Sequence, residues 1–296
     1  MFRRRGVRDL RGRNVFVTGA ASGIGRAIAV QAAAEGATVH LTDINDEPLR
    51  QVADAISASG GSVGLVDTAD IADHGQVAAL CASLTAGHGA MDLVCNVAGI
   101  AEWGTVQATP HDSFRRVIDI NLMGPIHVME ELVPPMIDAG RGGQVVNVSS
   151  AAGLVALPWH GAYSASKFGL RGISEVFDYD LAPHRIGVTL VCPGAVDTGL
   201  TETMRLAGVD TTNERTFIKA RKRFQQRAVS PEQAARATLK GAKRGKRVVY
   251  TSQDIHLLYL VKRVFPPGYT LFMTIVHRVA NRILPGAQAA RREVTR

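Results

Sequence analysis

Tyr163, Lys167 and Ser150 offer a phenol, an ammonium and a hydroxyl within one short stretch, 145–167 (VVNVSSAAGLVALPWHGAYSASK). A four-residue separation puts Tyr163 and Lys167 on one face of a helix, a turn apart. A cation beside a phenol favours the phenolate, so the pair predicts a tyrosine whose pKa is drawn below its usual value of about 10. Such a phenol can give or take a proton during a reaction. Ser150 follows the apolar run 145–148, which reads as a buried strand. Its hydroxyl is therefore expected at a strand's carboxyl end, where ligands bind in open α/β sheets. Tyrosine and lysine at this spacing are common on helix faces, so the pair carries weight only together with the rest of the chain.

The elements that must position these groups read as alternating strands and helices. The run 14–19 (NVFVTG) is a short apolar strand that leads into Gly19, Gly23 and Gly25 and then a helix ending at Gly36. Gly19 permits a tight turn, Gly23 lets backbone approach a pyrophosphate, and Gly25 lets the helix pack on the strand. The free N–H groups of that helix then face the phosphates. The next strand, 38–42, ends at Asp43, where a carboxylate accepts hydrogen bonds from adenosine ribose hydroxyls and repels a 2′-phosphate. NAD(H) is thus the expected cofactor, with Arg26 and Arg50 as the nearby residues that would reverse the preference. A helix over 48–59, a strand over 62–66 and a helix over 76–86 follow. Strand 91–95 ends in Asn96, Ala98 and Gly99, small residues that admit a flat adenine or its ribose against backbone. A long helix over 111–136 encloses Asn121, an amide whose residue-level reading is satisfaction of local backbone. Strand 145–149, the 150–167 stretch and strand 188–191 complete the series, and Thr198 in the turn beyond is able to bond a cofactor amide or phosphate. This alternation implies a parallel, doubly wound sheet with helices on both faces.

Composition sets broad limits. The chain has 296 residues, 46% hydrophobic and 20% charged, as in an ordinary globular protein. Cys81, Cys95 and Cys192 lie far apart in apolar runs, which predicts reduced core thiols and no metal site. The net charge of +8 is unevenly spread, with six arginines in the first thirteen residues and further basic residues between 219 and 247. A basic arm reads as solvated, no aromatic-interleaved basic platform is present, and nucleic acid is not expected as a partner. The N-terminus has no apolar segment after its arginines, so it does not read as a secretory signal, and a cytoplasmic location is expected.

Taken together, the motifs resemble the classical short-chain dehydrogenase/reductase family. The resemblance rests on TGAASGIG at 18–25, Asp43, DIAD at 70–73, NVAG at 96–99, Asn121, Ser150, YSASK at 163–167 and PGAVDT at 193–198, in order and in register from about 10 to about 250. Val97 is the small departure, where the family more often has a second asparagine. The resemblance implies a Rossmann-type domain over 14–250, between a basic arm (1–13) and a C-terminal helical extension (251–296). It implies an oxidoreductase acting on CH–OH groups in which Tyr163 is the general acid/base, Lys167 bonds the nicotinamide ribose and lowers the tyrosine's pKa, Ser150 holds the substrate oxygen, and Asn121 positions a relay water. Through the same motifs it assigns Ser22, Ile24, Asp70, Ile71, Pro193, Gly194 and Val196 to the cofactor site. A homodimer or homotetramer is expected on this ground alone.

Loops over the strand ends are expected to choose the substrate. Trp103, Leu154, Leu157, Trp159, Leu200, Met204 and Leu206 make an apolar alcohol or ketone the expected substrate; His160 is counted with Trp103, Trp159, Leu200 and Met204 as a candidate substrate residue, although it reads as a loop surface residue sooner than as a third proton carrier, and the basic run 219–223 reads as a solvated helix face. Two other readings remain: an NADPH-dependent 3-ketoacyl-type reductase that meets an acidic carrier through 219–223, and a non-catalytic dinucleotide-binding sensor. Beyond 250, the apolar run 255–265 is broken by Pro266, Pro267 and Gly268 and resumes over 269–284. Leu271, Phe272, Ile275, Val276, Val279 and Ile283 share one helical face there, with His277, Arg278, Asn281 and Arg282 largely opposite. Neither piece reaches the roughly 20 apolar residues of a membrane span. Such a helix can cover the cleft, meet a neighbouring subunit or lie in a membrane interface.

Overall fold

The computed structural model of the protein describes residues 6–197, 205–207 and 228–283. Seven strands form one sheet: β1 (Asn14–Thr18), β2 (Thr38–Asp43), β3 (Ser62–Thr68), β4 (Leu93–Asn96), β6 (Gly143–Val148), β7 (Ile186–Cys192) and β9 (Val248–Tyr250), in the spatial order β3-β2-β1-β4-β6-β7-β9. Every pairing is parallel. Two further short strands, β5 (Glu102–Trp103) and β8 (Arg205–Leu206), pair with each other outside this sheet.

Because both sheet faces are covered, successive residues of a strand enter different cores. Val15 and Val17 of β1 pack with α1 (Gly23–Ala34), α2 (Asp46–Ala58) and α7 (Pro231–Lys243). Phe16, between them, packs on the other face with α3 (His74–His88) and α5 (Gly124–Ala139). The strand order reverses between β1 and β4, which opens a crevice at their carboxyl ends. Thr18 closes its base: its hydroxyl accepts the backbone N–H groups of Val97 (3.0 Å) and Ala98 (3.1 Å).

Two expectations change at this level. The basic arm is anchored, since Leu10 is fully buried and Arg13 reaches the buried Asp92 at 3.2 Å. The long helix over Asn121 is interrupted: α4 (His111–Ile118) passes into a π-helical turn, Asp119–Met123, before α5 begins. Widened turns of this kind occur mostly as single insertions that re-aim side chains. The extension beyond β9 forms α8 (Gln253–Val264) and α9 (Pro266–Ile283). Among the described residues no helix is long and apolar enough to cross a membrane.

Candidate active site

The glycine loop is shaped by close approach. Gly19 has φ +66°, and a Cβ there would lie 2.8 Å from the Ala98 Cα, while a Cβ on Gly25 would collide with the Gly19 carbonyl. Ser22 caps α1 without a side-chain hydrogen bond, and the first turn holds no acidic residue. The helix N-terminus, with Gly23 and Ile24 in its first turn, is left electropositive and able to receive a phosphate. Asp43 is fixed at the end of β2: one carboxylate oxygen accepts Ala21 N–H (3.1 Å) and the other accepts the backbone and side-chain amides of Asn45 (3.0 and 2.9 Å). Arg50 is turned to Asp46 at 2.9 Å. At the β3 end, Asp70 accepts Ala72 N–H (3.0 Å), and Ile71 is buried against Gly124. Asn96 is buried, donates to Asn147 at 2.8 Å, and keeps an Oδ1 with no partner among the described residues.

The proton-handling groups converge. Tyr163 and Lys167 lie one turn apart on α6 (Gly161–Asp180), both buried. Ser150 lies two residues past the end of β6, accepts Ala152 N–H at 3.1 Å and stands near enough to the Tyr163 phenol to draw its pKa down in part. The Lys167 ammonium donates to the Val148 carbonyl at 3.0 Å and sits 5.8 Å from the Tyr163 ring centroid. Asn121 is fully buried in the π-helical turn, where its amide accepts Ile100 N–H (2.8 Å) and donates to Ile100 C=O (2.9 Å). Asn121 and Lys167 meet at Gly99, where a Cβ would stand 2.9 Å from Asn121 Oδ1 and 3.5 Å from Lys167 Nζ. Bare backbone at Gly99 therefore faces the lysine.

The electrostatics depart from the expectation for Tyr163. Burial pushes the phenol up, and the Ser150 hydroxyl only partly opposes it. Lys167 does not reverse this, because its ammonium is turned to a carbonyl and is itself pushed down to about 8 by burial. Asn121 grips the backbone of Ile100 with its amide, which agrees with the residue-level reading of a buried amide.

Trp103, Leu157, Trp159 and Leu206 gather around Tyr163 as an apolar cluster. His160 is not a surface residue: its ring lies 4.1 Å from that of Trp103 and 6.1 Å from that of Tyr163, centroid to centroid. Its Nδ1–H donates to the Pro158 carbonyl at 2.6 Å, and burial pushes its pKa down to about 4, so the ring is neutral at ordinary pH. Leu154, expected over the cleft, is instead core beneath α8. Pro193 accepts Ala151 N–H at 2.8 Å, Gly194 N–H donates to Thr251, and Val196 bridges to Val229, so these three follow β7 as expected. Thr198, Leu200, Met204 and the run 219–223 lie outside the described residues.

Sequence reasoning missed the amide chain Asn96–Asn147–Ser174, in which Asn147 donates to the Ser174 hydroxyl at 2.9 Å. Its signal was an asparagine between Val146 and Val148 in a strand buried on both faces. All three cysteines are buried, and burial pushes each thiol up to about 12.

Known proteins resemble this arrangement. A family model described as short chain dehydrogenase matches residues 13–207. The probable oxidoreductase EphD of Mycobacterium tuberculosis is 33% identical over 257 residues, covering 85% of this chain, which spans only 43% of that relative's length. The 2,5-dichloro-2,5-cyclohexadiene-1,4-diol dehydrogenase of Sphingobium indicum is 39% identical over 191 residues, 64% of this chain and 75% of that protein. Among solved structures, a short chain dehydrogenase/reductase from Burkholderia phymatum in complex with NAD superposes with a TM-score of 0.77 at 27% identity, covering 86% of this chain and 94% of that one. The crossed-over parallel sheet, the glycine loop and the match over 13–207 together make this chain a member of the short-chain dehydrogenase/reductase family of oxidoreductases.

Proposed function

We propose that the protein is an NAD(H)-dependent oxidoreductase that interconverts an apolar secondary alcohol and its ketone, with Tyr163 as the general acid/base. The observation that carries this reading is the buried Tyr163 phenol, with Ser150 beside it and the Lys167 ammonium 5.8 Å from its ring, inside the Trp103, Leu157, Trp159 and Leu206 cluster. A bound nicotinamide supplies the acceptor or donor of hydride. With the Ser150 hydroxyl beside the Tyr163 phenol, a substrate oxygen placed between them would be held by two hydrogen bonds. In oxidation Tyr163 accepts the substrate's hydroxyl proton; in reduction it returns one to the ketone oxygen. Lys167 brings positive charge to the side of the phenolate and leaves donors free beyond the one it gives to Val148. The surrounding aromatic and aliphatic side chains exclude water and favour an apolar substrate.

The cofactor preference is argued from Asp43. Its carboxylate is already oriented by Ala21 and Asn45, retains acceptor capacity for ribose hydroxyls and opposes a 2′-phosphate, while Arg50 is engaged by Asp46. The uncapped α1 N-terminus, the bare backbone at Gly19, Gly25 and Gly99 and the unpartnered Asn96 Oδ1 fit a dinucleotide lying across β1 and β4.

Fluorescence titration with NADH and NADPH side by side, on the native chain and on Tyr163→Phe, tests both halves. NADH is expected to bind more tightly, and Tyr163→Phe to keep that binding while turnover of apolar secondary alcohols falls by roughly 10²–10⁴-fold. Turnover that survives in Tyr163→Phe would remove the acid/base assignment. Preference for NADPH would move the reductase reading to the front.

A further inference from the structure

Each of the two C-terminal helices has one apolar face against the protein and a second apolar face that no described residue covers. Leu258, Tyr259 and Tyr269 pack inward with Leu154, Val155 and Leu190. On α9 the outward row is Leu271, Ile275 and Val279, at four-residue spacing, with Phe272 beside it; all four are about half exposed or more. Leu257, Leu260 and Val264 make a similar row on α8, and Phe265 at the turn is 60% exposed. A helix lying on a globular protein ordinarily turns polar residues outward. A second apolar face of this extent marks an interaction surface.

The charge of this segment indicates what meets it. The two helices, 253–283, contain a single carboxylate, Asp254 in the first turn of α8, against four strong cations, Lys262, Arg263, Arg278 and Arg282. Contrary to the expectation that they lie opposite, Arg278 and Arg282 follow Leu271 and Ile275 by seven residues each, two helical turns, and so border the apolar row. A second copy docked face to face would set this predominantly cationic surface against itself. An anionic surface with an apolar interior complements it in both respects.

We propose that α8 and α9 form a docking surface for an anionic lipid bilayer, with the outward apolar rows at the acyl boundary and the arginines among the headgroups. The surface is fastened to the loop that leads to Tyr163. Tyr269 hydroxyl accepts Ala156 N–H (2.9 Å) and donates to Ala156 C=O (3.1 Å), Lys262 donates to Leu154 C=O (2.8 Å), and Trp159 Nε1 donates to Asn281 (3.2 Å). Docking therefore brings the 154–160 loop to the lipid interface.

Flotation of the full chain with vesicles of phosphatidylcholine alone, and of phosphatidylcholine with phosphatidylserine, tests the proposal. The chain is expected to float with the anionic vesicles and to be released by salt. Two variants with unchanged circular dichroism, Leu271→Ser/Ile275→Ser/Val279→Ser and Arg278→Glu/Arg282→Glu, are each expected to lower the partition coefficient by about tenfold or more. Absence of flotation by the native chain, or flotation unchanged in both variants, overturns the proposal. Self-association in sedimentation that the triple variant abolishes, without flotation, would assign the surface to contact between copies and overturn it equally.

Discussion

Lys167 is a charge held where water is excluded, and that has a consequence apart from catalysis. Its pKa falls from 10.5 to about 8 on burial, so between those pH values the unfolded chain holds a proton that the folded chain has released. Stability then rises with pH across this window; below about 8 the folded state carries the buried charge at a constant penalty. Lys167→Met keeps the packing and removes the charge. In urea unfolding it is expected to be more stable than the native chain by roughly 1–3 kcal/mol at pH 7, with the difference shrinking by pH 10 and turnover largely lost. An equal change at both pH values would show that packing, and not charge, decides it. The neighbouring histidine makes the same physical point in a different form, since His160 is kept neutral by burial and its fixed Nδ1–H leaves only Nε2 to accept.

At the scale of elements, the π-helical turn Asp119–Met123 is the piece that shapes the cleft wall. It aims Asn121 at the backbone of Ile100, just past β4, and the two hydrogen bonds fix Gly99 and Ile100 beside Lys167. Removing the amide strands the partly buried N–H and C=O of Ile100 together. Asn121→Ala is therefore expected to destabilise the fold by roughly 2–4 kcal/mol, read as a lower urea midpoint at unchanged slope. It should also weaken dinucleotide binding through the displaced 98–100 backbone. A stability change below about 0.5 kcal/mol would mean that other groups or water take over both partners.

For the whole molecule, the sheet is tied down at the end opposite the cleft. Asp92 accepts Asn14 N–H at 3.0 Å and pairs with Arg13 and Arg141, while Leu10 is sealed beneath the sheet with no exposure. The arginine-rich start is thus part of the folded body from Leu10 onward. Leu10→Ala is expected to lower stability by roughly 2–5 kcal/mol in denaturant unfolding, as for a buried leucine elsewhere. A neutral result would return 6–13 to the role of a solvated arm.

Much of this architecture was legible along the chain. Strand–helix alternation gave the doubly wound sheet, because a strand buried on both faces must be apolar throughout and a helix on one face must be periodic. Gly19 and Gly25 announced the loop because no other residue tolerates those contacts. Tyr163, Lys167, Ser150 and Asn121 were nameable from spacing and resemblance, since those features are local. Their charges were not. Whether Lys167 lowers the tyrosine depends on where its ammonium points and how dry the site is, and only the folded chain sets the Val148 carbonyl against it. His160 and Leu154 were misplaced for the same reason: exposure belongs to the surroundings, and the residues that bury them, Trp103 and the C-terminal helices, are distant in sequence. The sequence determined which chemistry the chain carries; the tertiary structure decided the electrostatics, through burial, which no single stretch of chain can impose on itself.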